Sequence, residues 1–119
     1  MASQFEIPHP LPTPLTDLIA ARFRLLGEPM RIRILDSLRS GPAAVGELAE
    51  QLETTQQNVS KHLTILHRAG IVAREKEGNR VLYSIADPGV FELCEHVCGG
   101  LRRQIQELDQ LLPGPATRT

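Results

Sequence analysis

Gln57, Lys61, Thr64 and Arg68 recur at intervals of three and four residues. At about 100° per residue, this spacing puts amide, ammonium, hydroxyl and guanidinium groups on one side of a helix. Asn58 and Ser60 stand at the shoulder, and Gln56 opens the segment. These groups read base edges and hold phosphates, which is the chemistry of a DNA major groove. A merely solvated face needs charge alone, whereas this one carries a hydrogen-bonding set. Val59, Leu63 and Leu66 fall on the opposite side and must pack against a core.

Positioning that helix, from about Thr55 to Ile71, requires neighbours. Val45, Leu48, Ala49 and Leu52 keep helical spacing, so a short helix precedes it. Glu53-Thr54-Thr55 connects the two, with Thr54 or Thr55 as N-cap and without the usual glycine. Gly70 supplies the left-handed residue past the end of the second helix. Helix, tight turn and helix make a helix-turn-helix.

A pair of strands follows, Ile71–Lys76 and Arg80–Ile85, around a three-residue loop Glu77-Gly78-Asn79 whose Gly and Asn suit positive φ. A hairpin in this place is a wing. Its Lys76, Asn79 and Arg80 suit a minor groove or the adjacent phosphates, and Arg31, near a helix start, is a further candidate for the DNA backbone.

The net charge of −1 over 119 residues hides a local asymmetry. Lys and Arg number 5 against 7 Asp and Glu in residues 1–55, 5 against 2 in 56–80, and 3 against 5 in 81–119. The reading helix and hairpin thus form a basic island in an acidic chain, as expected of a localised DNA surface. Aromatic residues make up 3 %, so the core must be mainly aliphatic. Two cysteines exclude a disulfide framework. No apolar run approaches the roughly 18 residues of a membrane span, and no signal peptide is visible. The expectation is a cytoplasmic protein.

Residues 1–13, with Pro8, Pro10 and Pro12, read as a flexible arm, 14–112 as one domain, and 113–119 as a loose tail. Leu15, Leu18, Ile19, Phe23 and Leu26 mark a first amphipathic helix; Ile34, Leu35 and Leu38 mark a second that opens at Pro29. A last helix runs from about Pro88 to Leu112. Its Val90, Cys94, Val97, Leu101, Ile105, Leu108 and Leu112 keep a 4-3 rhythm that suits a partner helix. Together with Leu15, Leu18 and Ile19 these are the candidate dimerisation residues. Two reading helices roughly 34 Å apart would meet a two-fold related operator. The expected fold is mainly α with one β-hairpin, a dimeric winged helix-turn-helix in the order α1-α2-α3-α4-β1-β2-α5.

The assembled residues resemble the ArsR/SmtB family of small dimeric winged-helix regulators. Leu25-Leu26-Gly27-Glu28-Pro29-Met30-Arg31-Ile32-Arg33-Ile34-Leu35 is similar to the family's opening of the second helix. Val45-Gly46-Glu47-Leu48-Ala49, Gln56 through Gly70, and Gly78-Asn79-Arg80-Val81-Leu82-Tyr83 look like its third helix, recognition helix and wing return. The resemblance spans roughly residues 16–112. It implies a homodimer joined through the first and last helices, and repression relieved by an effector.

The sequence departs from the family where metals bind. The third helix, Glu47-Leu48-Ala49-Glu50-Gln51, has no cysteine, and Asp87-Pro88-Gly89 has Gly where a histidine ligand would stand. Arg102, Gln104, Gln106 and Glu107 supply no second histidine pair. Cys94 and Cys98 share one face at i, i+4, while His96 points away from both. His9 on the arm and Glu92 beside His96 are the remaining ligand candidates. Buried structural thiols, a soft-metal or arsenite site, and a redox switch all stay open. No metal or cofactor is assigned; a transition-metal effector is one alternative.

His62 lies about 60° from Val59, at the edge of the core face, which favours an orienting or packing role. His67 sits near the helix end, where positive charge is favourable. Glu47 and Glu50 read as a solvated face. Nothing resembles a catalytic constellation, so no enzyme is expected. The reading is a homodimeric sequence-specific DNA-binding transcriptional regulator, a repressor, with unknown effector. Its alternatives are a sensor acting through Cys94 and Cys98, or a winged-helix protein-interaction module.

Overall fold

The computed structural model describes residues 6–111. The elements follow the expected order: α1 Thr13–Leu26, α2 Pro29–Leu38, α3 Val45–Gln51, α4 Gln56–Arg68, β1 Val72–Glu77, β2 Arg80–Ile85 and α5 Gly89–Leu111. The chain forms two compact units, Met1–Ala86 and Asp87–Thr119.

In the first unit, α1 begins at Thr13 rather than Leu15. Pro12 is its N-cap residue, with its carbonyl accepting from the Thr16 amide, and Pro14 sits in the first turn, where a missing N–H costs nothing. Helix α2 opens at Pro29, and the Glu28 carboxylate caps it by accepting from the Arg31 amide at 3.3 Å.

The turn between α3 and α4 explains its missing glycine. Glu53 itself takes the left-handed conformation, with φ of +54°. Thr55 is the N-cap of α4, its hydroxyl oxygen accepting from the Asn58 amide at 3.0 Å. Helix α4 ends on Gly70, with φ of +77°. The amide of Ile71 reaches Leu66 O and that of Gly70 reaches His67 O, the paired bonds of a Schellman stop.

The stripe expected to face inward does so: Val59, Leu63 and Leu66 are fully buried, with Ile34, Leu48, Ile71 and Val72. Strands β1 and β2 pair antiparallel, with Glu77 opposite Arg80 and Val72 opposite Ile85. The loop is therefore two residues, Gly78-Asn79, not three. Glu77 belongs to the ladder, and of the two loop residues only Gly78 has positive φ, at +64°. Ala43 adds a third, one-residue rung by exchanging both backbone bonds with Tyr83. No residue of α1 is buried; Leu18 and Phe23 stand exposed.

The second unit is built on α5, whose 23 residues span about 34 Å at 1.5 Å per residue. Asp87 Oδ1 accepts from the Gly89 amide at its start. Val90 is buried, whereas Val97, Leu101, Ile105, Leu108 and Leu111 are exposed along its length. Leu112, the last position of the expected stripe, lies outside the described residues. Among the described residues no helix is long and apolar enough to cross a membrane.

Candidate nucleic-acid interface

Gln56, Gln57, Ser60, Lys61 and Thr64 of α4, with Val45 of α3, line one open cleft of about 520 Å³. All five polar residues are exposed, as is Arg68 at the end of the same helix. The apolar anchors Val59, Leu63 and Leu66 leave this face turned outward. Gly46 of α3 lies beside it: a Cβ there would make ordinary contact, 3.4 Å, with the Gln56 amide nitrogen.

Two of the polar groups are partly committed to the helix itself. Asn58 Nδ2 donates to Thr54 Oγ1 at 3.1 Å, tying that amide back to the turn. Thr64 Oγ1 donates to Ser60 O at 2.9 Å.

On the hairpin, Lys76 and Asn79 are exposed at and beside the tip. Arg80 is also exposed, but its Nη2 lies 2.7 Å from Glu47 Oε1. The same carboxylate oxygen accepts from the Ala44 amide at 2.8 Å, capping α3. Glu47 is thus more than a solvated acid. A glutamate three residues into a helix was the available local signal for its capping role, but its partner on the hairpin left none.

Arg31, the candidate for the DNA backbone, is half-buried and its guanidinium is engaged within the protein. Its Nε donates to His62 Nδ1 at 3.1 Å and its Nη1 to Leu25 O at 3.0 Å. Glu28 Oε2 lies 3.6 Å from His62 Nε2. His62 is buried, in keeping with the orienting or packing role its position suggested. Burial pushes its imidazole below the ordinary 6.5; Arg31 and Lys61 act the same way and Glu28 opposes them. Arg33, two residues further along α2, donates from Nη2 to Leu52 O at the end of α3, at 3.4 Å.

Of the candidate ligands, Cys94 is half-buried, and Cys98, His96 and His9 are exposed. Among the described residues, no three His, Cys, Asp or Glu side chains are grouped to hold a metal ion.

A buried-stripe helix with an exposed polar face, set by a turn against α3 and followed by a hairpin, defines a winged helix-turn-helix. The helix-turn-helix domain family matches residues 26–75. The HTH-type transcriptional regulator Rv0081 of Mycobacterium tuberculosis is 43 % identical over 81 residues, covering 67 % of this chain and 71 % of its own length. Its crystal structure superposes with a TM-score of 0.73 at 38 % identity, over 81 % of this chain and 97 % of that one. The repressor SmtB of the same organism is 41 % identical over 80 residues, which are 67 % of this chain and 59 % of the repressor. A homodimeric winged helix-turn-helix DNA-binding domain from Mycobacterium bovis, Mb0332, matches with a TM-score of 0.69 and 29 % identity, over 79 % of this chain and 87 % of that one. This chain belongs to the ArsR/SmtB family of helix-turn-helix transcriptional regulators.

Proposed function

We propose that the chain acts as a homodimeric, sequence-specific DNA-binding repressor whose α4 reads a two-fold related operator in the cytoplasm. The observation that carries this reading is the exposed row of Gln56, Gln57, Ser60, Lys61 and Thr64 on a helix anchored by its other side. Gln57, Lys61 and Thr64 face base edges, with Gln56, Asn58 and Ser60 beside them. Arg68, Lys76, Asn79 and Arg80 serve the phosphates or the minor groove. The apolar faces of α1 and α5 (Leu15, Leu18 and Ile19; Val97, Leu101, Ile105 and Leu108) support pairing with a second copy, as does the homodimeric relative.

A gel shift on the chain's own upstream region tests the reading. Wild type should bind, and Lys61→Ala and Gln57→Ala should each bind more weakly. Wild-type binding by both variants, or no binding to any duplex at low salt, would overturn it. Effector chemistry is tested on the same complex by adding Ni(II), Zn(II), Cu(I), arsenite or peroxide. A response lost in the Cys94→Ser/Cys98→Ser double variant would assign the signal to the thiols.

A further inference from the structure

We infer that Arg31 is a positioning residue for α4, acting through His62, and that this pair makes DNA affinity depend on the protonation of one imidazole. The inference rests on α4 being the DNA-reading helix. Its starting point is a direction of donation. Arg31 Nε–H is a donor under all conditions, so His62 Nδ1, 3.1 Å away, must accept. An imidazole that accepts at Nδ1 is neutral and carries its proton on Nε2, the nitrogen facing Glu28 Oε2. The same guanidinium holds Leu25 O near the end of α1. One side chain thus joins the end of α1, the start of α2 and the middle of α4.

Protonation breaks this arrangement. With a proton on both ring nitrogens, Nδ1–H would meet Nε–H, two donors and two cations within hydrogen-bond distance. The His62 side chain is only 7 % exposed, so the ring cannot turn into water, and Arg31 is the group that leaves. Room for it exists: an open cleft of about 650 Å³ lies between α2 and α4, lined by Arg31, Arg33, Lys61, His62 and Met30 among others. The charged groups facing the ring are Glu28 and Arg31 from the start of α2 and Lys61 from α4, with Arg33 farther along the cleft. Glu28 is the one carboxylate among them, and it already caps α2 by accepting from the Arg31 amide.

The consequence for reading follows from where His62 sits. Val59, Leu63 and Leu66 fix how deeply α4 is buried, whereas His62 lies at the edge of that face, next to Lys61. Releasing Arg31 frees the helix to roll, and Lys61 is the reading residue displaced first.

Operator binding by the full-length protein, followed by fluorescence anisotropy between about pH 5.5 and 7.5, tests the inference. Wild type should bind several-fold more weakly at the acid end, up to about fivefold for one pKa unit between free and bound forms, because the free value already lies below 6.5. His62→Gln keeps an acceptor for Arg31 and cannot titrate; it should bind like wild type at the neutral end and stay within about twofold across the range. Circular dichroism at each pH checks that every sample is folded. A flat wild-type profile, or a His62→Gln profile as steep as wild type, would overturn the inference.

A second readout does not need DNA. Ring ¹⁵N shifts of His62 at neutral pH should show the Nε2–H tautomer in wild type and its loss in Arg31→Ala. An Nδ1–H tautomer in wild type would overturn the inference even if no duplex were bound. Absence of DNA binding with the expected tautomer present would count against the operator reading alone.

Discussion

Glu47 Oε1 accepts from Arg80 Nη2 at 2.7 Å, joining the first turn of α3 to the first residue of β2. Both side chains are more than half exposed, so the pair contributes little to stability, about 0–1 kcal/mol. Its electrical effect is larger than its energy. The cation proposed for phosphate is held beside an acid, and on that reading binding DNA draws Arg80 away from it.

Replacing that acid should therefore strengthen binding. Glu47→Gln keeps an oxygen for the Ala44 amide but removes the charge. Operator affinity should rise at low salt with the slope of log K against log salt little changed, because Arg80 meets phosphate in both proteins, whereas Arg80→Ala should lower the slope by about 0.9, the value for one lost contact. Anisotropy titrations across a salt series check this. An Arg80→Ala slope equal to wild type would mean that Arg80 does not reach phosphate.

The left-handed Glu53 predicts a stabilising substitution. Left-handed backbone costs a non-glycine residue roughly 1–2 kcal/mol, and the chain entropy of glycine returns about half of that gain. Glu53→Gly should stabilise the fold by about 0.5–1 kcal/mol, and Glu53→Val should destabilise it by at least as much. Urea unfolding orders the three proteins; a glycine variant no more stable than wild type contradicts the turn geometry.

Charge placed on the exposed apolar rows should dissociate the dimer. Leu101 is 55 % exposed and Leu18 is 68 % exposed within one chain, so Leu101→Glu and Leu18→Glu should leave helix content intact. Sedimentation velocity should show the shift to monomer, and operator affinity should fall with it, because one reader loses its tethered partner. A variant that remains dimeric removes its position from the interface.

The depressed pKa of His62 sets the sign of a stability profile. In the folded state the imidazole takes up its proton at lower pH than the ordinary 6.5 it keeps when unfolded. The unfolded chain then binds more protons, so this contribution is fully present above about 6.5 and is lost as pH falls from there through the folded value. Thermal melts of wild type should drop over that window, and His62→Gln should drop less.

Much of this architecture was legible because it is local. Val59, Leu63 and Leu66 announce a buried stripe by spacing alone, and Gly70 announces the stop of α4 because few other residues accept its backbone. The outward row Gln57, Lys61, Thr64 and Arg68 follows from the same periodicity. What stayed hidden depends on chain segments far apart. Arg31 looks like an available cation until His62, 31 residues later, is seen to accept a hydrogen bond from its Nε. Glu47 looks like surface charge until the hairpin folds back upon it. The loop length was misjudged because Glu77 has no local mark distinguishing a last rung from a first loop residue. A glutamate likewise gives no sign that it will take a glycine's place in a turn.

Thr64 carries one more implication for the reading face. Its hydroxyl proton is given to Ser60 O, so the group left uncommitted is a methyl. Toward a base edge this position offers carbon and a lone pair, but no donor. The lone pair can accept from adenine N6 or cytosine N4 but gives nothing to the O6 of guanine, and the methyl can register a neighbouring carbon, which in a major groove is the methyl of thymine.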